Sequence, residues 1–204
     1  MKYRELAVRG AFEITPQQFG DPRGLFLEAF KAGPFADAVG HSFDLQQANC
    51  SVSAAGVLRG IHFADVPPSQ AKYVMCVKGA VLDVVVDIRV GSPTFGTWDA
   101  VLLDDVDRRA IYLSEGLGHA FMSLEDSSTV LYLCSSGYAP GREHGIHPLD
   151  PDLAIAWPTT ARDGSPLTPL LSEKDETAPT LAEARDQGLL PTMDAVAAHL
   201  ATLR

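Results

Sequence analysis

A few ionisable side chains stand in otherwise apolar, β-branched text. RGIHF sets Arg59 close to His62, and Lys72 follows on the next strand in QAKYVMCV. An imidazole titrates near neutral pH and suits proton transfer. Across residues 71–77, alternation puts Lys72 on one face with Val74 and Cys76, and Tyr73, Met75 and Val77 on the other. A lysine among apolar neighbours either meets a negative charge or carries its head out to solvent at the strand end. His119 shares a face with Phe121 and Ser123 in HAFMSLED, as a satisfied core residue or as a ligand. Tyr132 in STVLYLCSS has apolar residues on both faces, which suits a core tyrosine with its hydroxyl tied to backbone. Asp83 and Asp87 lie on the face of Val81 and Val85; they either orient imidazoles or face water.

These groups do not form a metal-binding pattern. His62 and His119 stand singly, and the near pair His144 and His147 sits in REHGIHPLD, which reads as a loop. No strand is followed by Gly-x-Gly-x-x-Gly, so no dinucleotide cofactor is indicated. Cys50, Cys76 and Cys134 are widely spaced, odd in number and without a CxxC, which reads as reduced core thiols of a cytosolic protein.

The elements that must position these side chains are mostly strands. From about residue 45 to 157, short β-branched runs alternate with turn signals, the rhythm of a sandwich or jelly roll. AKYVMCV, KG and AVLDVVVDIR together predict a tight hairpin with Lys78-Gly79 at its corner. PFADAVG predicts one short helix, and residues 158–179 an irregular connection. Thr180 and Glu183 make a capping-box pattern that opens a short helix, with Gly188 as its stop. TMDAVAAHLATLR has the spacing of an amphipathic terminal helix, to be packed on the barrel or on a partner subunit.

Sixteen basic residues face 26 acidic ones, for a formal charge of −10. Nothing in that balance supplies the counterion release that drives nucleic-acid binding, whereas a small diphosphate needs only two or three well-placed cations. No apolar run has the length of a signal core or a membrane span, so a cytoplasmic location is expected.

The segments DPRGLFLEAF, QANCSVSAAGVLRGIHF, PPSQAKYV, VVVDIRVGSPTFGTW, YLSEGLGHAF, YLCSSGYAPGREHGI, LDPDLAIAWP and LSEKD resemble, in order, the dTDP-4-dehydrorhamnose 3,5-epimerase family. The resemblance runs from about residue 3 to residue 190. It implies one all-β domain over residues 1–204, a cupin-like β-jelly-roll with short C-terminal helices. Within it, residues 1–45 would carry N-terminal strands and a segment exchanged between protomers, and residues 158–204 the connection and terminal helices. It also implies a homodimer that uses no metal and no cofactor.

By motif, the resemblance makes His62 the general base, Asp175 its orienting carboxylate, Lys72 the oxyanion partner and Tyr132 the acid on the opposite sugar face. Arg59 and Gln47 would hold the diphosphate and sugar, Asn49 and His119 would line the pocket, and Tyr138 and Glu143 would lie near the nucleotide. Arg23, Phe26 and Glu28 would reach into the partner's site. Ala120 stands where many bifunctional members have Gly, and its methyl beside His119 is expected to alter the tilt of the sugar. The implied reaction inverts C3 and C5 of dTDP-4-keto-6-deoxyglucose. The alternatives are an antibiotic-pathway monoepimerase acting at C3 or C5 only, a 3,4-ketoisomerase of similar fold, and a sugar-nucleotide binding module without catalysis. The last would have been signalled by loss of His62, Lys72, Tyr132 or Asp175, and all four are present.

Overall fold

Strands buried on one face alternate apolar and polar residues, while strands covered on both faces read as continuous apolar runs. Both kinds occur in the computed structural model, which describes residues 1–203. The chain runs β1 (Lys2–Glu5), β2 (Ala11–Thr15), β3 (Gln18–Asp21), β4 (Gly24–Leu27), α1 (Ala32–Val39), β5 (Gln47–Ser53), β6 (Leu58–Ala64), β7 (Lys72–Lys78), β8 (Ala80–Val86), β9 (Trp98–Asp104), β10 (Ala110–Leu113), β11 (Gly118–Ser123), β12 (Ser128–Cys134) and β13 (Glu143–Gly145). The helices α2 (Glu173–Glu176), α3 (Leu181–Asp186) and α4 (Met193–Leu200) complete it.

Two antiparallel sheets face each other: one of six strands in the order β1-β2-β10-β7-β12-β5, and one of five, β13-β6-β11-β8-β9. The all-β jelly-roll expectation is thereby met. Between the sheets, Val74, Cys76, Val130 and Ile111 pack against Val81, Val85, Val101, Leu103 and Phe121. The outer face of the five-stranded sheet is covered as well, where Ile61, Phe63, Val84 and Val86 meet Leu153 and the α3 residues Leu181 and Ala184. On the outer face of the six-stranded sheet, Phe35 of α1 stacks edge-on against Tyr112, with ring centroids 4.9 Å apart. Cover on both faces explains why VLDVVVDI is nearly unbroken.

The hairpin expected at Lys78-Gly79 is not one. β7 pairs with β10 and β12, whereas β8 pairs with β9 and β11 in the opposite sheet. Gly79 (φ +80°) is a corner between layers, and a Cβ there would lie 2.9 Å from Ser128 Cα. A turn signal fixes a reversal of direction but not the sheet that the second strand joins.

The helical signals held. Thr180 Oγ1 accepts from the Glu183 N–H and the Glu183 carboxylate accepts from the Thr180 N–H, a complete capping box. The terminal helix α4 packs on the barrel: Val196 is buried, and a Cβ at Gly116 would stand 2.5 Å from it. Residues 158–179 are irregular except for the single turn α2, too short for periodicity to reveal. No helix among the described residues is long and apolar enough to cross a membrane.

Asp87 neither orients an imidazole nor faces water. It is fully buried, holds Arg89 Nε and Nη2 at 2.8 Å each, and accepts from the Ser92 and Thr94 hydroxyls. Removing one partner of a buried pair leaves the other charge uncompensated. Asp87→Ala should therefore cost about 3–5 kcal/mol, read as a lower urea midpoint at unchanged slope.

Candidate active site

The site begins with an irregularity in β6. His62 pairs with His119 of β11 and Arg59 with Phe121, so Gly60 and Ile61 together oppose Ala120. In a regular strand, residues three apart point to opposite faces; the bulge turns both Arg59 and His62 inward. Gly60 permits it: at φ +122°, a Cβ would stand 2.5 Å from the Ala120 Cβ and 2.6 Å from the His119 carbonyl.

His62 Nε2 lies 2.6 Å from Asp175 Oδ1, a contact between residues 113 positions apart in the chain. Asp175 is delivered by α2, where Ser172 caps the turn by accepting from the Asp175 N–H. Burial raises the pKa of this carboxyl, but the hydrogen bond and charge of His62 outweigh it and leave the net value below the ordinary range. With Nε2–H donating to that carboxylate, Nδ1 is left as the basic nitrogen. His119, beside His62, is 8 % exposed and bonds through Nε2 to both oxygens of the fully buried Asp83, at 2.9 and 3.0 Å. Of the two readings open for Asp83, orienting an imidazole is the one realised.

His62, Gln70, Lys72, His119 and Glu143 line one cavity between the sheets. A second cleft of about 340 Å³, on the other side of His62, is lined by Arg59, Leu170, Leu171, Lys174 and Asp175. Lys72 enters from β7, with Cys134 of β12 as its cross-strand partner. Burial lowers its pKa, and Cys134, Glu143 and Asp83 oppose the shift without cancelling it.

Tyr132 lies next to Lys72 on the inner face of β12, packed half-buried against the core. A cation near a phenol lowers its pKa. Arg59 does pull that way, but burial dominates and the phenol is raised, which holds the proton on the hydroxyl at neutral pH. Asn49 pairs with Tyr132 across β5 and β12; its side chain bonds Gln47 at 2.8 Å, and Gln47 accepts from the Tyr138 N–H at 2.9 Å. The Tyr138 ring stands at the rim, 64 % exposed.

Three of the thirteen anticipated residues lie elsewhere. Arg23, paired with Asp21, and Phe26, 67 % exposed, sit on the β3–β4 hairpin, which forms a separate two-stranded sheet; Glu28 just beyond it pairs with Lys31. They do not line this chain's cavity. The Ala120 methyl also lies away from it, on the outer face with Ile61 and Phe63, so it cannot tilt a bound sugar directly. Lys174 and Gln70 line the clefts but were not singled out in the sequence, because each sits in turn-like text without periodicity.

The result is an imidazole on one sheet, backed by a carboxylate from α2, facing an ammonium and a phenol on the other sheet. Among the described residues no group of three or more His, Cys, Asp or Glu is placed to hold a metal ion. The sequence model of the dTDP-4-dehydrorhamnose 3,5-epimerase family matches residues 5–183. A dTDP-4-dehydrorhamnose 3,5-epimerase of Mycolicibacterium smegmatis is 61 % identical over 204 residues, covering 100 % of this chain and 98 % of that protein. The rmlC epimerase structure from Mycobacterium tuberculosis superposes with a TM-score of 0.95 at 57 % identity, covering 100 % of both chains. ChmJ, a 3'-monoepimerase from Streptomyces bikiniensis solved with dTDP-quinovose, gives 0.92 at 52 % identity and covers 98 % of each. Fold, site and these likenesses agree: the chain belongs to the dTDP-4-dehydrorhamnose 3,5-epimerase family.

Proposed function

We propose that this protein inverts C3 and C5 of dTDP-4-keto-6-deoxyglucose, giving dTDP-4-keto-rhamnose, by proton transfer alone. The observation that carries this reading is the placement of His62 and Tyr132 on facing sheets, so that a sugar ring between them meets a base on one face and an acid on the other.

The C4 ketone acidifies the hydrogens on C3 and C5. Nδ1 of His62 takes one of them, and Asp175 stabilises the imidazolium that forms. The enolate places negative charge on the C4 oxygen, where the Lys72 ammonium, on the wall of the cavity between the sheets, meets it. Tyr132, protonated at neutral pH, then delivers a proton from the opposite side, which inverts the centre. Arg59 bonds Ser53 through Nε, leaving its two terminal nitrogens for the diphosphate. Gln47, Asn49 and His119 position the sugar, while Tyr138 and Glu143 stand toward the nucleotide. Arg59→Ala should raise KM about tenfold or more, with a smaller fall in kcat; equal losses in both would contradict a binding role.

In this reading the working unit is a cytoplasmic homodimer. The exposed β3–β4 hairpin supports it, because Arg23, Phe26 and Glu28 project away from their own chain's cavity and are available to a partner's.

The test is proton NMR of dTDP-4-keto-6-deoxyglucose with the protein in D₂O. Deuterium at both C3 and C5 with a rhamno product is the expected outcome. Exchange and inversion at one carbon would make the protein a monoepimerase, and no exchange would overturn the reading for this substrate.

A further inference from the structure

Lys72 is the first residue of β7, a strand flanked by β10 and β12. Its cross-strand partners, Leu113 and Cys134, are the last residues of those two strands. Lys72 therefore stands where the sheet ends, and its backbone is fixed by whatever holds the chain just before it. The antiparallel register, continued by one residue, brings Ala71 between Ser114 and Ser135. Ser135 holds Ala71 twice: its N–H donates to the Ala71 carbonyl at 3.0 Å, and its Oγ accepts the Ala71 N–H at 2.8 Å.

Glu115 closes this end of the sheet. It is 3 % exposed, and each carboxylate oxygen accepts from one hydroxyl: Oε2 from Ser114 at 3.1 Å and Oε1 from Ser135 at 3.3 Å. No ion pair among the described residues includes it. A carboxylate buried without a cation is costly and depends on the hydrogen bonds it accepts. The Ser135 hydroxyl has a single proton; donating it to Glu115 leaves the lone pairs to the Ala71 N–H. One carboxylate thus ties the ends of β10 and β12 together and orients the group that anchors the residue before Lys72. Ser136 separately ties Ser69 and Gln70, so the preceding loop has its own attachment.

We propose that Glu115 is a positioning residue for Lys72, acting through Ser135 and the Ala71 amide. The inference rests on the reading of Lys72 as oxyanion partner. Glu115 does not itself line the His62 cavity, whereas Ser114 and Lys72 do. A displacement of about 1 Å at a reacting group can cost up to about 10²-fold in rate.

The test is a double-mutant cycle on the full-length protein, followed by C3 and C5 exchange in D₂O. Glu115→Ala should lower kcat about tenfold, with KM and dTDP affinity changed less than about twofold. Glu115→Gln should recover most of the loss, because its amide accepts from Ser135 and donates to Ser114. In a Lys72→Met background, Glu115→Ala should change the residual kcat less than about twofold, since the residue it positions is gone. An unchanged kcat in Glu115→Ala, a full tenfold loss in the Lys72→Met background, or equal damage from Gln and Ala would each overturn the inference. If Glu115→Ala does not fold, Ser135→Ala takes its place in the cycle with the same expected outcome. Exchange by the unaltered protein with no loss in Lys72→Met would overturn the oxyanion role and this inference with it; a loss in Lys72→Met with additive Glu115 effects would overturn this inference alone.

Discussion

His62→Ala should stop exchange of the C3 and C5 hydrogens with solvent, while Tyr132→Phe should leave exchange running and lose inversion. The difference follows from geometry. His62 and its partner Asp175 belong to one wall of the barrel, and Tyr132 belongs to the other. Without the imidazole no carbon acid is deprotonated, and loss of a general base costs about 10²–10⁴ in rate. Without the phenol, a proton taken by His62 returns from the same face, so deuterium enters with retention. Single-turnover NMR in D₂O reads the two quantities separately. If exchange stops in a folded Tyr132→Phe protein, Tyr132 also takes part in deprotonation; if inversion survives unchanged, its role as acid is wrong.

Lys72→Met should lower kcat by about 10²–10³, comparable to removing one oxyanion donor in other enzymes. The substitution keeps most of the side chain's length and apolar stem and removes the ammonium proposed to meet the enolate. A second consequence concerns pH. The proposed reaction needs Lys72 protonated, and burial sets its pKa below the ordinary 10.5. Activity should therefore fall on the alkaline side as pH rises through that lowered value, with the limb lying below 10.5. The residual activity of Lys72→Met should lack that limb. If it remains, another group titrates there and Lys72 is not the oxyanion partner.

Much of this site could be read from residue order alone, and the part that could not has an identifiable cause. Alternation around Lys72 correctly grouped it with Val74 and Cys76, because pleating fixes which side chains share a face within a regular strand. The same rule applied to RGIH places Arg59 and His62 on opposite faces, and only the bulge at Gly60 brings them together. That bulge depends on how closely β11 approaches, a property of the sheet and not of the strand. Ala120 is the same lesson in reverse: adjacent in sequence to His119, it faces the other way.

Local chemistry settled the helix ends, since a capping box needs only residues three apart. It could not settle where Lys78-Gly79 sends the chain, because pairing partners for β7 and β8 lie far away in sequence and are chosen by which layer each strand completes.

The sequence by itself determined an all-β domain, its helix caps, its acidic balance and, through ordered motifs, its family. The tertiary structure alone decided that Asp175 meets His62 across 113 residues, that Asp83 rather than Asp87 holds an imidazole, and that His62 and Tyr132 face each other from separate sheets. Short-range order is encoded in spacing, whereas a catalytic constellation is built from contacts between strands whose packing no local pattern specifies.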